Sequence, residues 1–292
     1  MQIVHTPRIV VLGATGLTGG RVAAHLADAP VEVVRASRNP STVRRWKDEG
    51  RSAVHLDLDD PRTFPAALEG ADRLFLATPY SGAMTHQSKT VVDAASDAGV
   101  QHIVHLGIFG DGRATDPHFA WHELVERYIE GSGVAWTHLH PHTFMEVLLT
   151  TSRIVDDCVT WPVGDKPMGF VANEDLAAVA AQVLAEGPGR HAGKGYWLST
   201  DVVDGPSMAA ILSEALGRPI AAKVVTPEAA EQAPAFMDPA YAASILEYLR
   251  QNHDGRMDFS QVVTSTVADL LGRDPIHLGD WAKTHRRELL AA

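Results

Sequence analysis

The stretch RIVVLGATGLTGG, residues 8–20, decides the fold of this 292-residue chain. Its first five residues are mostly aliphatic and β-branched and predict a buried strand, and a helix-forming segment follows. Gly13, Gly16 and Gly19 stand three residues apart, which permits a tight turn, a close approach of a pyrophosphate to the backbone, and close packing of helix on strand. The first amides of that helix would point at the phosphates. The stretch therefore predicts a turn that binds a dinucleotide.

Further strands and helices alternate outward from this turn as far as residue 140. Strands that alternate with helices form right-handed β-α-β units, and these build a parallel sheet covered by helices on both faces. The fold class predicted is α/β, with a Rossmann-type doubly wound parallel sheet. The predicted strands cover residues 8–12, 31–36, 53–56, 73–77, 102–106 and 134–139, and the predicted helices cover 20–29, 41–49, 62–69, 83–98 and 117–130.

The C-terminal half is less regular, because Pro and Gly interrupt it repeatedly. Three further helices are predicted, over residues 239–251, 261–271 and 278–290. We assign residues 1–155 to a nucleotide-binding domain, to which residues 169–200 return. Residues 156–292 are expected to form a smaller, irregular α+β domain that binds the substrate, close to the carboxyl ends of the strands, where open α/β sheets bind their ligands.

Composition excludes several classes of protein. The hydrophobic fraction is 45% and the net charge is −11, with no basic run that would bind nucleic acid through direct charge. No apolar stretch reaches the 18 residues of a membrane span. Cys158 is the only cysteine, so an intrachain disulfide and a cysteine-based zinc site are both excluded. We expect a cytoplasmic protein without a membrane partner, either a monomer or a homodimer.

The second predicted strand indicates which nucleotide is bound. NAD-dependent proteins place Asp or Glu at its end, to hold the ribose 2′-hydroxyl. Here the strand ends with Arg35 and Arg38 and carries no carboxylate. A guanidinium can grip a 2′-phosphate with several N–H donors, so NADP(H) is the predicted cofactor. The alternative is that both arginines are solvated charges.

Residues after the other strands complete the predicted cofactor site. Asp57 and Leu58 follow the third strand and are placed to meet the adenine, and Thr78 and Pro79 follow the fourth, on the nicotinamide side. The complete set of predicted cofactor-binding residues is Gly13, Thr15, Gly16, Leu17, Thr18, Arg38, Asp57, Leu58, Ala77, Thr78, Pro79, Gly107, His122, Pro141 and Phe144.

Several of these segments together resemble one family. GATGLTGG at 13–20, VRASRNP at 34–40, Asp57-Leu-Asp59 and LFLATP at 74–79 resemble the NmrA-like branch of the atypical short-chain dehydrogenase/reductases. The resemblance continues through 141–146, 193–198 and 267–275. That branch includes triphenylmethane-dye reductases, NADPH-dependent quinone reductases, enzymes that tailor aromatic natural products, and regulators that bind the nucleotide without turnover.

The resemblance also shows a departure in the catalytic residues. Reductases of the wider superfamily use a Tyr and a Lys four residues apart on the fifth helix and a Ser after the fifth strand. His118, His122 and Gly107 stand at these places here, so the ordinary triad is predicted to be absent. His122 and His118 are the catalytic candidates, and His122 would contact the ribose or donate a proton. Alternatively, both are surface or supporting groups. No third ligand accompanies the pair, so no metal is predicted.

Aromatic and methionine side chains are expected to form the wall of the substrate pocket. Such surfaces suit flat, conjugated ligands, because stacking requires few hydrogen bonds. Several of these residues could instead belong to the core. The predicted substrate-binding residues are Tyr80, Phe109, His142, Phe144, Met145, Leu148 and Trp161.

The function predicted from these residues and from the resemblance is an NADPH-dependent oxidoreductase. It would transfer hydride to a quinone or to a conjugated or aromatic carbonyl compound, with solvent or His122 as the proton source. Two alternatives stay open: a regulatory protein that senses NADP(H) without turnover, and a tailoring enzyme of aromatic polyketide biosynthesis.

Overall fold

The structure is a computed structural model that describes residues 5–110, 115–230 and 237–291. Its contacts divide these residues into two compact units. The first unit comprises the described residues of Met1–Gly107, Trp121–His140 and Leu176–Tyr196. The second comprises those of Ile108–Ala120, Pro141–Asp175 and Trp197–Ala292.

The described residues contain twelve strands and twelve α-helices. In chain order the strands are β1 (Arg8–Val11), β2 (Glu32–Ser37), β3 (Ala53–His55), β4 (Arg73–Leu76), β5 (His102–Leu106), β6 (Ala135–Pro141), β7 (Thr143–Phe144), β8 (Cys158–Trp161), β9 (Met168–Val171), β10 (Lys194–Leu198), β11 (Asp201–Val203) and β12 (Ala221–Val224). The helices are α1 (Leu17–His25), α2 (Pro40–Asp48), α3 (Phe64–Leu68), α4 (Met84–Asp97), α5 (Pro117–Gly131), α6 (Asn173–Glu186), α7 (Pro188–His191), α8 (Gly205–Leu216), α9 (Pro239–His253), α10 (Thr266–Leu271), α11 (Leu278–Thr284) and α12 (Arg286–Leu290).

A seven-stranded sheet forms the centre of the first unit, in the order β10-β6-β5-β4-β1-β2-β3. Strands β1 to β6 pair in parallel. Ile9, Val10 and Val11 are fully buried, as expected for a strand in a sheet covered on both faces. The order 3-2-1-4-5-6 reverses between β1 and β4, and ligands of doubly wound sheets bind at such a reversal. The predicted Rossmann-type α/β fold is confirmed.

The second unit contains small sheets and helices around its own core. Strand β9 pairs with β11 antiparallel and with β7 in parallel, and β12 pairs with β8 in parallel. Its largest fully buried side chain, Trp281, belongs to a core cluster that also contains Trp161 and Leu212. The C-terminal half, whose sequence is interrupted repeatedly by Pro and Gly, thus forms irregular α+β structure.

Two predicted C-terminal helices differ from the structure. The helix predicted over 261–271 begins only at Thr266, since Thr264 donates its amide to the Ser199 carbonyl at 2.8 Å. The helix predicted over 278–290 is interrupted at His285. None of the helices in the described ranges is long and apolar enough to cross a membrane.

Candidate active site

The glycine turn between β1 and α1 has a separate backbone role for each glycine. Gly13 has a φ of +65°, which favours glycine. Gly16 is extended, precedes the first residue of α1, and donates its amide to the Gly13 carbonyl at 2.8 Å. A Cβ on Gly19 would clash with the Gly13 carbonyl and would lie 2.5 Å from the Leu12 carbonyl oxygen. Gly19 therefore lets α1 pack on β1, while the exposed backbone at Gly13, Thr15 and Gly16 stays open to a ligand.

The two arginines at the end of β2, Arg35 within the strand and Arg38 just after it, have different surroundings. Arg35 donates from Nη2 to the Ala23 carbonyl of α1, at 3.3 Å. Arg38 follows the strand and is exposed, and within the described ranges no carboxylate lies at ion-pair distance from its guanidinium. Its loop is held in place because the Asn39 side chain accepts from the Ser41 amide at 2.9 Å and begins α2. Arg38 is thus a solvent-facing cation beside the glycine turn, since β2 neighbours β1.

The loops after β3 and β4 are held by short polar contacts. The Thr63 hydroxyl accepts from the Asp57 amide at 3.0 Å. Thr78 Oγ1 lies 2.8 Å from Ser88 Oγ on α4. The structure thus brings most predicted cofactor residues to the carboxyl ends of β1–β4: Gly13, Thr15, Gly16, Leu17, Thr18, Arg38, Asp57, Leu58, Ala77, Thr78 and Pro79.

Gly107 has a neighbour that the sequence did not reveal. A Cβ at this position would lie 2.7 Å from Oε1 of Glu126 and 3.2 Å from Cδ2 of His140. His140 Nε2 lies 2.9 Å from that same Glu126 oxygen. The space that a serine side chain would need after β5 is therefore taken by a Glu–His pair. The only signal in the sequence was that Glu126 follows His122 by one helical turn.

His122 is buried beside Tyr80, on the loop after β4. The two rings meet edge to face, with centroids 5.6 Å apart, and the His105 ring lies 5.7 Å from His122. Burial raises the pKa of Tyr80 to about 12, so this phenol keeps its proton at neutral pH. His122 and Tyr80 therefore form a contact pair of two potential proton-bearing groups next to the loop of Thr78.

His118 occupies a different environment at the start of α5. Its amide donates to the Ser244 hydroxyl at 2.7 Å and to Asp116 Oδ1 at 3.1 Å, and its ring lies 5.0 Å from that of Tyr241. Burial lowers the pKa of His118 to about 3. The imidazole is therefore neutral at physiological pH and packs among residues of the second unit, and the catalytic role of His118 stays a prediction.

Most of the predicted substrate residues are core residues of the second unit. Met145, Leu148 and Trp161 are at most 2% exposed and belong to its hydrophobic core, which corrects their assignment to a pocket wall. Phe109 is buried, and its ring centroid lies 4.9 Å from that of His142.

His142 itself is held by backbone groups. Its Nδ1 accepts from the Thr143 amide at 2.9 Å, and its Nε2 lies 3.1 Å from the Ser260 carbonyl oxygen, to which it donates. With both nitrogens occupied, His142 has no polar atom left for a substrate. Pro141 is also buried, and its carbonyl accepts from the Phe109 amide at 2.9 Å. Tyr80 and Phe144 are the predicted substrate residues that keep part of their surface exposed.

Comparison with known proteins identifies the family of this chain. The model of the NmrA-like family matches residues 5–281. The NAD(P)H azoreductase of Xenophilus azovorans is 31% identical over 97% of this chain and 100% of its own length. The (4-alkanoyl-5-oxo-2,5-dihydrofuran-3-yl)methyl phosphate reductase of Streptomyces griseus is 32% identical over 95% of this chain and 97% of its own.

A solved structure shows the same fold. The NADPH-dependent quinone oxidoreductase of Escherichia coli, in a complex with NADPH, superposes with a TM-score of 0.81 over 96% of this chain and 99% of its own, at 22% identity. The family match, which covers nearly the whole sequence, confirms the predicted resemblance. The chain belongs to the NmrA-like family.

Proposed function

We propose that the chain is an NADPH-dependent oxidoreductase that reduces a flat, conjugated acceptor. The observation that carries this proposal is the exposed glycine turn beside the exposed Arg38, at a strand end without a carboxylate. A carboxylate at this place would repel a 2′-phosphate, whereas a guanidinium attracts it. The relatives named for NAD(P)H or for reductase activity support the same assignment.

The chain's own residues bind and orient the cofactor. The start of α1 follows the glycine turn directly, and the amides at a helix N-terminus point toward a phosphate bound there. Arg38 would hold the 2′-phosphate, and Thr78, fixed by Ser88, would contact the nicotinamide half. When bound, NADPH supplies the hydride. The acceptor gains this hydride and one proton, and His122 or solvent would give the proton.

The proposed substrate is a quinone, an azo compound or a conjugated carbonyl compound. Tyr80, on the loop after β4, keeps part of its surface exposed and offers an aromatic side chain for stacking, and a stacked ligand needs few polar partners. The relatives point to the same chemistry: one is named an azoreductase, and the name of another describes an unsaturated ring that carries two carbonyl groups. Reducing such acceptors does not need the tyrosine of the ordinary triad.

A second candidate function is an NADP(H) sensor without turnover. The observation that favours it is the pair His118 and His122 at the places where the superfamily's Tyr and Lys stand. Burial of His118 with a low pKa removes one potential acid from this pair.

Anaerobic rapid mixing distinguishes the two functions. The protein is saturated with NADPH and mixed with a quinone, an azo dye or an α,β-unsaturated ketone, and the nicotinamide absorbance is followed. Oxidation of NADPH that accompanies reduction of the acceptor, faster than without protein, supports the reductase; one NADPH is consumed per quinone or unsaturated ketone, and two per azo dye cleaved to amines. Tight binding of NADPH with no oxidation by any acceptor contradicts the reductase and supports the sensor. Arg38→Ala is the control, since it should weaken NADPH binding in either case.

A further inference from the structure

A cluster of buried histidines lies beneath α5 in the first unit. His105 on β5 and His138 on β6 are partners in the parallel register of the two strands, so their side chains point to the same face of the sheet. Their exposed fractions are 0% and 2%. Glu126 reaches them from α5, and one ligand atom from each of the three residues lies within 4.8 Å of the other two.

The ring nitrogens of this cluster lack hydrogen-bond partners. Among the residues that the structure describes, no partner lies within hydrogen-bond distance of either nitrogen of His105 or of His138. The Glu130 carboxylate is 3.8 Å from Nε2 of His138, beyond a hydrogen bond. A neutral imidazole has one N–H donor and one lone pair. Buried polar groups are nearly always satisfied, so four unsatisfied ring nitrogens at one place call for a bound species.

We propose that His105, His138 and Glu126 bind a divalent transition-metal ion, with Zn²⁺ as the best match. Imidazole nitrogens and a carboxylate oxygen are ligands that zinc prefers, whereas Mg²⁺ and Ca²⁺ require mostly oxygen ligands. Ligands about 2.1 Å from zinc in a tetrahedron lie roughly 3.4 Å apart, so small side-chain rotations would close the cluster around the ion.

The surroundings of the cluster fit such a site. His140 Nε2 donates to Oε1 of Glu126 at 2.9 Å, and supporting hydrogen bonds of this kind orient carboxylate ligands of metals. Burial favours the neutral form of an imidazole, which is the form that coordinates metal. The ion would join α5 to β5 and β6. It takes no part in the proposed reduction, so the two proposals stand independently.

The test uses the full chain, freed of metal by dialysis against a chelator and titrated with Co²⁺ alone. One equivalent should bind, with the visible ligand-field absorption of a tetrahedral site, and addition of Zn²⁺ should displace it and raise Tm. Glu126→Gln keeps a partner for His140, and His138→Asn removes the second ligand. Each should weaken Co²⁺ binding by at least about 100-fold. His86→Asn, which removes an exposed histidine, should bind like the unchanged protein.

Several outcomes would overturn the proposal. If the unchanged protein fails to bind one equivalent of Co²⁺, the proposal is wrong whatever the variants show. Buried water would then be the partner of these imidazoles. Equal Co²⁺ binding by the unchanged protein and by the variants would assign the ion to surface histidines. X-ray absorption of the Zn²⁺-loaded protein that finds no imidazole nitrogen around the ion would also contradict it, even if both variants fail to fold.

Discussion

Of the two arginines near the end of β2, Arg38 is expected to determine cofactor choice and Arg35 to contribute to stability. Arg38 is exposed without an ion-pair partner in the described part of the chain, and Arg35 is bonded to α1. Arg38→Ala should weaken NADPH binding by about 1.5–3 kcal/mol, the value of a charge-assisted hydrogen bond, and leave NADH binding nearly unchanged. Arg35→Ala should lower the free energy of unfolding without changing the preference. Calorimetric titration with both nucleotides measures the difference, and equal losses for NADPH and NADH in Arg38→Ala would contradict the assignment.

His122 can serve as a proton donor or as a contact to the ribose. An imidazole carries an N–H in either protonation state and can serve a ribose oxygen or the reduced acceptor. If it gives the proton, His122→Phe should lower kcat by about 10²–10⁴-fold with little change in the Kd of NADPH. A weaker Kd at unchanged kcat would make it a ribose contact. His118→Phe is the matched control on the same helix and should change neither, because its imidazole packs in the second unit.

Buried neutral histidines should make the protein acid-sensitive. Burial lowers the pKa of His142 to about 4, against about 6.5 in an unfolded chain. Between these values the unfolded state binds a proton that the folded state does not, so the stabilising contribution is complete above about pH 6.5 and is lost as pH falls toward 4. Between pH 7 and pH 5 the loss from this residue is about 2 kcal/mol.

Urea unfolding at both pH values measures this loss. His142→Asn should reduce the pH dependence of the free energy of unfolding by about 2 kcal/mol, while His86→Asn, at an exposed histidine, should leave it unchanged. An unchanged pH dependence in His142→Asn would mean that the imidazole titrates normally in the folded protein.

At the scale of elements, strands were predicted well where they are buried on both faces. The predicted runs at 8–12 and 102–106 match β1 and β5 almost residue for residue, because short runs centred on β-branched aliphatic residues favour a strand buried on both faces. Residues 261–265 could not be predicted in the same way. The Thr264 amide donates to the Ser199 carbonyl at 2.8 Å, and this tertiary contact takes the place of a helical backbone hydrogen bond.

The candidate site was predicted where it depends on local sequence. The glycine turn and Arg38 are contiguous motifs, and their geometry follows from a strand, a turn and a helix. The Glu126–His140 pair and the cluster around His105 depend on which face of α5 meets β5 and β6. One sequence carries no signal for that register, and Met145, Leu148 and Trp161, which the sequence placed in a pocket, lie in the core for the same reason.

The packing of α1 on β1 separates the glycines by role. Gly19→Ala places a Cβ against two backbone carbonyls that cannot move independently, so the free energy of unfolding should fall by about 1–3 kcal/mol.

At Gly16 a Cβ would lie 3.3 Å from the Gly13 carbonyl oxygen, in an extended conformation that suits valine. Gly16→Val should therefore keep the fold and abolish NADPH binding by blocking the backbone. Circular dichroism and calorimetry check both, and retained NADPH affinity in Gly16→Val would refute the phosphate-binding turn.

At the scale of the whole molecule, neither compact unit is a continuous piece of chain. Four of the five boundaries between them fall within single elements: α5 is divided after Ala120, β6 after His140, α6 after Asp175 and β10 after Tyr196. A helix or strand forms or melts cooperatively over its length. If one unit unfolded, the shared helices and strands would lose their structure, and the other unit would lose the residues that they contribute to it.

This continuity predicts one cooperative unfolding transition for the chain. Buried tryptophans report on both units, with Trp46 in the first and Trp161 and Trp281 in the second. Urea transitions followed by tryptophan fluorescence and by far-UV circular dichroism should coincide. NADPH at about 100 times its Kd should raise the free energy of unfolding by about 2.7 kcal/mol by both probes. Arg38→Ala, at the same NADPH concentration, should lose most of this increase. Two separated transitions, of which NADPH shifts only one, would show instead that the units unfold independently and that the nucleotide stabilises the first unit alone.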